Sequence, residues 1–509
     1  VTGSTGAGKS NAIYCLLEQL VAAGKTFLAI EPAKGEYKNV FGSSGLASVY
    51  GTSPQMAPML QLNPFSFPDA IHVLEHLDRL VEIFNACWPM YAAMPAVLKA
   101  AVEQSYEDCG WDLMTSTNPY GNNLYPTFSD VCRNVRSFIE TSDYDEENKG
   151  AYKGSLLTRL QSLTTGINGM VFTKHELSDD ELFECNAVVD LSRVGSNETK
   201  SLLMGILILK LQEHRMATAQ GMNAPLQHIT VLEEAHNILR RTSGEQVTES
   251  ANLQGKSVEM ISNAIAEMRT YGEGFIIADQ APGLLDMAAI RNTNTKVILR
   301  LPDQSDRELA GKAAGLTDEQ ITELAKLPRG VAAIFQNEWI EPVLCKINRS
   351  EAPESLYRYE RIEESPHEGQ PSDALSIAEA LSGVAQLGRD TSFEEIRSAM
   401  DRLELNASDQ VSMLRYIEEA HGDPRPSRLA PMMARLFPSV QESIARAYEE
   451  TDNVDDWTRA GTEALSAILN DEPIPFVRRA IVQSIIHNFL VNERKDFDAY
   501  INWEQRAVM

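Results

Sequence analysis

Gly3-Ser4-Thr5-Gly6-Ala7-Gly8-Lys9-Ser10 stands at the head of the chain and matches G-x-x-x-x-G-K-[ST], the P-loop pattern. Its spacing has a chemical reason. Glycines let the backbone wrap closely round a phosphate chain with its N–H groups turned inward. Lys9 then reaches the β- and γ-phosphates of ATP, and the Ser10 hydroxyl ligates Mg2+. From Asn11 to Leu20 the residues Ile13, Leu16, Leu17 and Leu20 recur at helical spacing, so the loop opens a helix whose N-terminal dipole favours an anion. Residues 3–11 are therefore the candidate nucleotide-binding segment.

A P-loop follows a strand, and only Val1 and Thr2 precede Gly3, with no initiator Met. The chain reads as a fragment, with its first strand and any targeting signal expected upstream of Val1.

Lys25–Ile30 is a short apolar strand that runs into Glu31-Pro32-Ala33-Lys34-Gly35-Glu36-Tyr37. Its end is expected beside the P-loop in a parallel sheet, where Glu31 either holds water or metal near the γ-phosphate or caps the turn. Ala187–Leu191 is a buried strand, and Ser196–Arg215 a long helix with an apolar stripe.

Ile229-Thr230-Val231-Leu232-Glu233-Glu234-Ala235-His236 is the second decisive stretch. An apolar strand ending in two acids is a Walker B element. Glu233 belongs to the Mg2+ shell and Glu234 polarises the attacking water. P-loop enzymes usually place Asp at the first position; the extra methylene of Glu233 still permits an outer-sphere contact. His236 reads as structural, since the neighbouring sequence offers no metal partners. Gly244–Val258 reads as a polar loop and Ile261–Tyr271 as a helix. Phe275–Ala278 is a buried strand whose tip carries Asp279 and Gln280, and Gln280 is placed to sense the γ-phosphate. Strands at Val297–Leu301 and Gly330–Phe335 complete the core. Arg159 reads as a surface ion pair.

At 509 residues, with 43% apolar and 23% charged residues, the chain is long enough for two or three globular domains. No run approaches the ~18–20 apolar residues of a membrane span. The six scattered cysteines form no C-x-x-C pair, which argues against a zinc ribbon or disulfide framework and suits a reducing, cytoplasmic setting. The net charge of −27, about half of it after Ser350, lowers the odds of nucleic-acid binding without forbidding a local basic channel. Residues 1–54 and 181–350 read as two parts of one α/β nucleotide-binding core. Residues 55–180 read as a mainly helical insertion, 351–372 as an acidic linker and 373–509 as an all-α domain without a catalytic signature.

Taken in order, the P-loop, Glu31–Tyr37, Asp190-Leu191-Ser192, Leu232–His236, Met268-Arg269-Thr270-Tyr271-Gly272 and Asp279-Gln280 resemble the HerA branch of the HerA–FtsK ATPases. The resemblance covers the core alone. It implies a RecA-like sheet in a hexameric ring, with nucleotide between subunits and duplex DNA in the pore. It further implies that Lys9 and Ser10 bind MgATP, that Glu31 and Glu233 order metal and water, and that Glu234 is the base. Gln280 becomes the γ-phosphate sensor and Arg269 the finger that reaches the adjacent subunit. Relatives serve beside a nuclease or other effector subunit, in DNA processing or phage defence. Two other readings remain open: a protein-translocating motor of the type IV secretion kind, and an ATP-gated scaffold for a partner effector.

Overall fold

The protein is described from a computed structural model over residues 1–91, 93–221, 223–241, 249–351, 355–361, 371–383, 393–419, 426–451, 453–469 and 473–507. It divides into two compact units. The larger holds Val1–Ser105, Asp112–Thr117 and Tyr125–Ile362; the smaller holds Tyr106–Trp111, Asn118–Leu124 and Glu363–Met509.

Among the described residues the larger unit holds eight strands: β1 (Thr26–Glu31), β2 (Ser48–Gly51), β3 (Ala187–Asp190), β4 (His228–Glu233), β5 (Glu273–Ala278), β6 (Thr295–Ile298), β7 (Val331–Gln336) and β8 (Val343–Lys346). The first five form a parallel sheet in the order β2-β3-β1-β4-β5. The strand His-Ile-Thr-Val-Leu-Glu of β4 is buried along its whole length, as a strand covered on both faces must be. The remaining three pair antiparallel as β6-β7-β8. Thr2 bridges to Asp279 and to Ile298, so the residues leading into the P-loop lie between the β5 and β6 edges.

This order corrects one expectation. The end of β1 does not adjoin the P-loop: β1 is flanked by β3 and β4, and Thr2 pairs beyond β5. Apolar runs specify a strand, whereas neighbours are chosen by which crossover helices cover which face. The segment 249–258, expected as loop, belongs to a helix spanning Glu249–Met268; the stretch 242–248 lies outside the described residues. Its polar residues are tolerated because only one face packs, with Ser257 buried and hydrogen-bonded to Glu82.

Between β2 and β3 the chain is largely helical, led by Val73–Cys87, Met94–Asp108 and Phe128–Thr141. The acidic stretch Asp143–Lys149 leads into the helix Glu146–Tyr152, with Asp145 accepting the Asn148 N–H as its cap. In the smaller unit the described residues after 371 form helices, among them Val454–Ile468, Pro475–His487 and Phe497–Ala507, around a core that includes Leu414, Phe437, Trp457 and Ile485. No described helix is long and apolar enough to cross a membrane.

The ends of β4 and β5 remote from the P-loop are pinned by a buried polar network. Arg215, on the helix Asn197–Thr218, donates to Glu273 at 2.9 Å, to Glu184 and to the Phe183 carbonyl. Glu273 also accepts from Thr230 at 2.8 Å and pairs with His228 at 2.9 Å. Removing the cation leaves a fully buried carboxylate without its charge partner. Arg215→Leu should therefore destabilise the larger unit by about 3–5 kcal/mol, read as a lower urea midpoint at unchanged slope.

Candidate functional site

The P-loop takes the shape its glycines permit. Gly6 and Gly8 sit in the left-handed region at φ +77° and +106°. A Cβ built on Gly6 would meet nothing within 4 Å, so the loop encloses open space. Gly8 caps the helix Lys9–Ala22, and no side chain caps that N-terminus. Its free N–H groups and dipole are what a phosphate requires. Lys9 is 7% exposed and lies 3.4 Å from Glu233 and 3.3 Å from Glu234, two carboxylates standing where phosphate charge would otherwise neutralise it. These residues fit a nucleotide phosphate chain.

The tips of β4 and β5 meet here. Glu234 follows β4 in the left-handed region at φ +44°, which turns its side chain back over the loop. Its Oε1 accepts from Gln280 Nε2 at 2.5 Å and from Lys9 at 3.3 Å. Thr5 Oγ1 in turn donates to Gln280 Oε1 at 2.8 Å. Lys9, Glu233, Glu234 and Gln280, expected from three separated stretches, thus share one hydrogen-bonded group with the P-loop. Ser10 opens the same helix, and Asn11 faces away from the loop, donating to the Asn348 carbonyl at 2.8 Å and accepting from Ser350 N–H at 2.9 Å.

Glu31 stands differently from its expected place in the metal shell. Its two oxygens accept the backbone N–H groups of Glu36 at 2.8 Å and Tyr37 at 3.0 Å, closing the turn that Gly35 makes at φ +67°. The turn delivers two side chains that sequence reasoning gave no role. Tyr37 donates its hydroxyl to Glu233 Oε1 at 2.9 Å, and Lys38 pairs with Asp190 at 2.5 Å. The signal for both was their place just after the strand acid, within reach of the neighbouring strand ends. Burial pushes the Glu31 carboxyl up to about 7, helped by the charges of Asp190 and Glu233 and opposed by the two N–H donors. Burial, and the adjacent Glu233, likewise hold the Tyr37 hydroxyl neutral, well above its usual range. Asp190 stays below the usual carboxylate range: burial works against its charge, and Lys38 and Ser192 outweigh it.

His236 has the partners that the neighbouring sequence lacks. Its Nδ1 lies 2.9 Å from Asp279 Oδ2 and 3.7 Å from Glu234 Oε2. The hydrogen bond to Asp279 raises the imidazole above its ordinary value against the effect of burial. Arg269 is not brought to this group. It precedes β5, at the other end of a six-residue strand from Gln280, and so lies about 20 Å from its own P-loop. Its side chain is exposed and makes no ion pair among the described residues. Arg159 pairs with Glu198 at 3.3 Å, the surface pairing expected of it.

Residues 1–211 match the family model for the central domain of the helicase HerA. Two curated relatives are DNA double-strand break repair helicases HerA, from Sulfurisphaera tokodaii and Sulfolobus acidocaldarius. They are 22% identical to the chain over 356 and 357 residues, covering 69% of it. The chain spans 64% of the length of each. Among solved structures, VirB4 of Thermoanaerobacter pseudethanolicus superposes with a TM-score of 0.52 at 17% identity, over 69% of this chain and 88% of that one. That likeness shows the fold: a RecA-like α/β core with a helical region after it.

The Glu31 shift has a consequence for stability. The folded chain holds this proton more tightly than the unfolded chain, in which the carboxyl titrates near 4.5. Glu31 therefore costs stability progressively as pH rises from about 4.5 to about 7, by at most about 3 kcal/mol. Urea unfolding of wild type and Glu31→Gln across that window should show the variant gaining on the wild type as pH rises. A constant difference would mean that Glu31 titrates as an ordinary surface acid.

Proposed function

We propose that the chain is an ATP-hydrolysing subunit of a HerA-type ring motor that translocates duplex DNA. The observation that carries this is the grouping of buried Lys9 and Glu233 with half-buried Glu234 and Gln280 around an uncapped helix N-terminus, with the exposed Arg269 about 20 Å away. A site that holds its base and sensor but not its arginine is completed by another subunit. The hexamer, the DNA in its pore, a nuclease or other effector subunit, and a role in DNA processing or phage defence belong to the same proposal.

In this reading Lys9 and the loop N–H groups hold the β- and γ-phosphates of ATP. Ser10 and Glu233 would hold Mg2+, which would supply charge neutralisation when bound. Tyr37, braced by Glu31, fixes the rotamer of Glu233; Glu31 itself acts as a positioning residue. Gln280 hands Glu234 over from its resting bond when phosphate fills the loop, and Glu234 then takes a proton from the attacking water. The partner subunit's Arg269 neutralises charge developing in the transition state, so turnover depends on assembly.

The net charge of −27 favours a second reading, a motor that moves protein in place of DNA. The rate of ATP hydrolysis per subunit separates the two. The DNA motor requires a rate that climbs with protein concentration and climbs again with duplex DNA, falling off with salt. Indifference to DNA at every concentration would remove that reading and keep the protein motor.

Two variants test the assignment of roles. Glu234→Gln and Arg269→Ala should each lower turnover at least 100-fold, and a mixture of the two should regain a measurable part of it, because one subunit supplies the base and its neighbour the arginine. If the mixture stays as inactive as its components, Arg269 does not act in trans. Tyr37→Phe removes a hydroxyl that touches no substrate. It should lower turnover about 10–100-fold and raise the Mg2+ concentration needed for half-maximal rate, with nucleotide affinity nearly unchanged. Equal losses in affinity and rate would instead indicate a general loosening of the loop.

A further inference from the structure

Glu234, His236 and Asp279 come from the tips of two adjacent strands, and the ring nitrogen of His236 sits between the two carboxylates. One donor atom from each lies within 4.8 Å of the other two. We propose that these three side chains form a binding site for a borderline divalent cation of the Zn2+ or Co2+ kind, separate from the Mg2+ position at Ser10 and Glu233, and that filling it stops hydrolysis.

The geometry is close to what such an ion needs. A tetrahedral site with bonds of about 2.0–2.2 Å spaces its ligand atoms about 3.3–3.6 Å apart. His236 Nδ1 is 2.9 Å from Asp279 Oδ2 and 3.7 Å from Glu234 Oε2, on either side of that spacing. Asp279 is already held in position. Its Oδ2 accepts the His236 backbone N–H at 2.9 Å and its Oδ1 the Ala281 N–H at 3.0 Å. Such outer donors orient a ligating carboxylate and are half of a working metal site. Glu234 can join without releasing its present partners, because Lys9 and Gln280 both use Oε1 and the ion would take Oε2. Asp279 is 1% exposed as a side chain, against 31% for His236 and 13% for Glu234, so an ion enters from the histidine side.

The donor set also says which ions are excluded. Mg2+ prefers oxygen ligands and keeps several waters, whereas imidazole suits Zn2+, Co2+ and their neighbours. The Mg2+ position and this one are thus told apart by a single nitrogen. A carboxylate bound to a cation is a poor base, so occupation removes Glu234 from the reaction. That consequence rests on Glu234 being the base; the binding itself does not.

Co2+ reports its own coordination, which keeps the test independent of turnover. Nucleotide-free full chain titrated with Co2+ should develop a visible d–d band that saturates at one equivalent and is bleached by Zn2+. His236→Gln, checked for folding by thermal melting, should lose the band. In the presence of excess Mg2+, Zn2+ should inhibit ATP hydrolysis by the wild type, and His236→Gln should need at least tenfold more Zn2+ for the same inhibition. A band that survives His236→Gln overturns the site. So does a near-ultraviolet thiolate absorption that disappears with Cys185→Ser, since the exposed cysteine would then be the ligand. If the wild type binds Co2+ through His236 but hydrolyses no ATP with Mg2+, the metal site stands and the ATPase reading falls.

Discussion

A buried positive charge organises the larger unit. Lys9 is nearly inaccessible to water, and an isolated ammonium there would be prohibitively costly. Two carboxylates at the tip of β4 make it tolerable, at 3.3 and 3.4 Å. Two further contacts keep those acids in place. Tyr37 fixes Glu233 from one side and Gln280 fixes Glu234 from the other. The resting site is thus a closed electrostatic circuit; in the proposed function an incoming phosphate chain opens it, taking over the neutralisation of Lys9 and releasing Glu234.

The circuit closes only because parallel strands end together. β1, β3, β4 and β5 run in one direction, so the residues after each strand emerge at one edge of the sheet. Glu31, Asp190, Glu233 and Asp279 are these edge residues. Four acids gathered at one edge repel one another, and the fold answers with fixed partners for each. Glu31 has two N–H donors, Asp190 has Lys38, Glu233 has Tyr37, and Asp279 has His236 with two further N–H groups. The opposite ends of β4 and β5 are tied by Arg215 and Glu273, so the strands cannot slide without breaking a buried ion pair. Stability at one end of the sheet and site geometry at the other are therefore linked through the same two strands.

The two short polar departures from sequence pattern have a common cause. The segment from Glu249 and the acidic run from Glu146 are both too polar to signal helix by their apolar spacing, yet both are helical. In each, a cap or a few buried contacts suffice, because helix formation needs only one satisfied face and a closed N-terminus. Conversely, the position of β1 could not be read at all. Its apolar run requires burial on both faces, and any interior place in the sheet supplies that.

Sequence alone determined which charged and polar residues stand at the strand tips and loop. Glycine spacing, a lysine and serine at a helix start, and acids ending apolar runs specify local conformation and charge within a few residues, where covalent connection guarantees proximity. The α/β core, the helical segment and the all-α end were likewise set by local periodicity. Only the tertiary structure decided which distant groups meet. It turned Glu31 from a candidate metal ligand into the brace of a turn, brought Tyr37 to Glu233, and gave His236 its partner 43 residues away in Asp279. It also put Arg269 at the wrong end of β5 for its own nucleotide. Strand order and backbone turns set those distances, and neither is encoded in the spacing of residues along the chain.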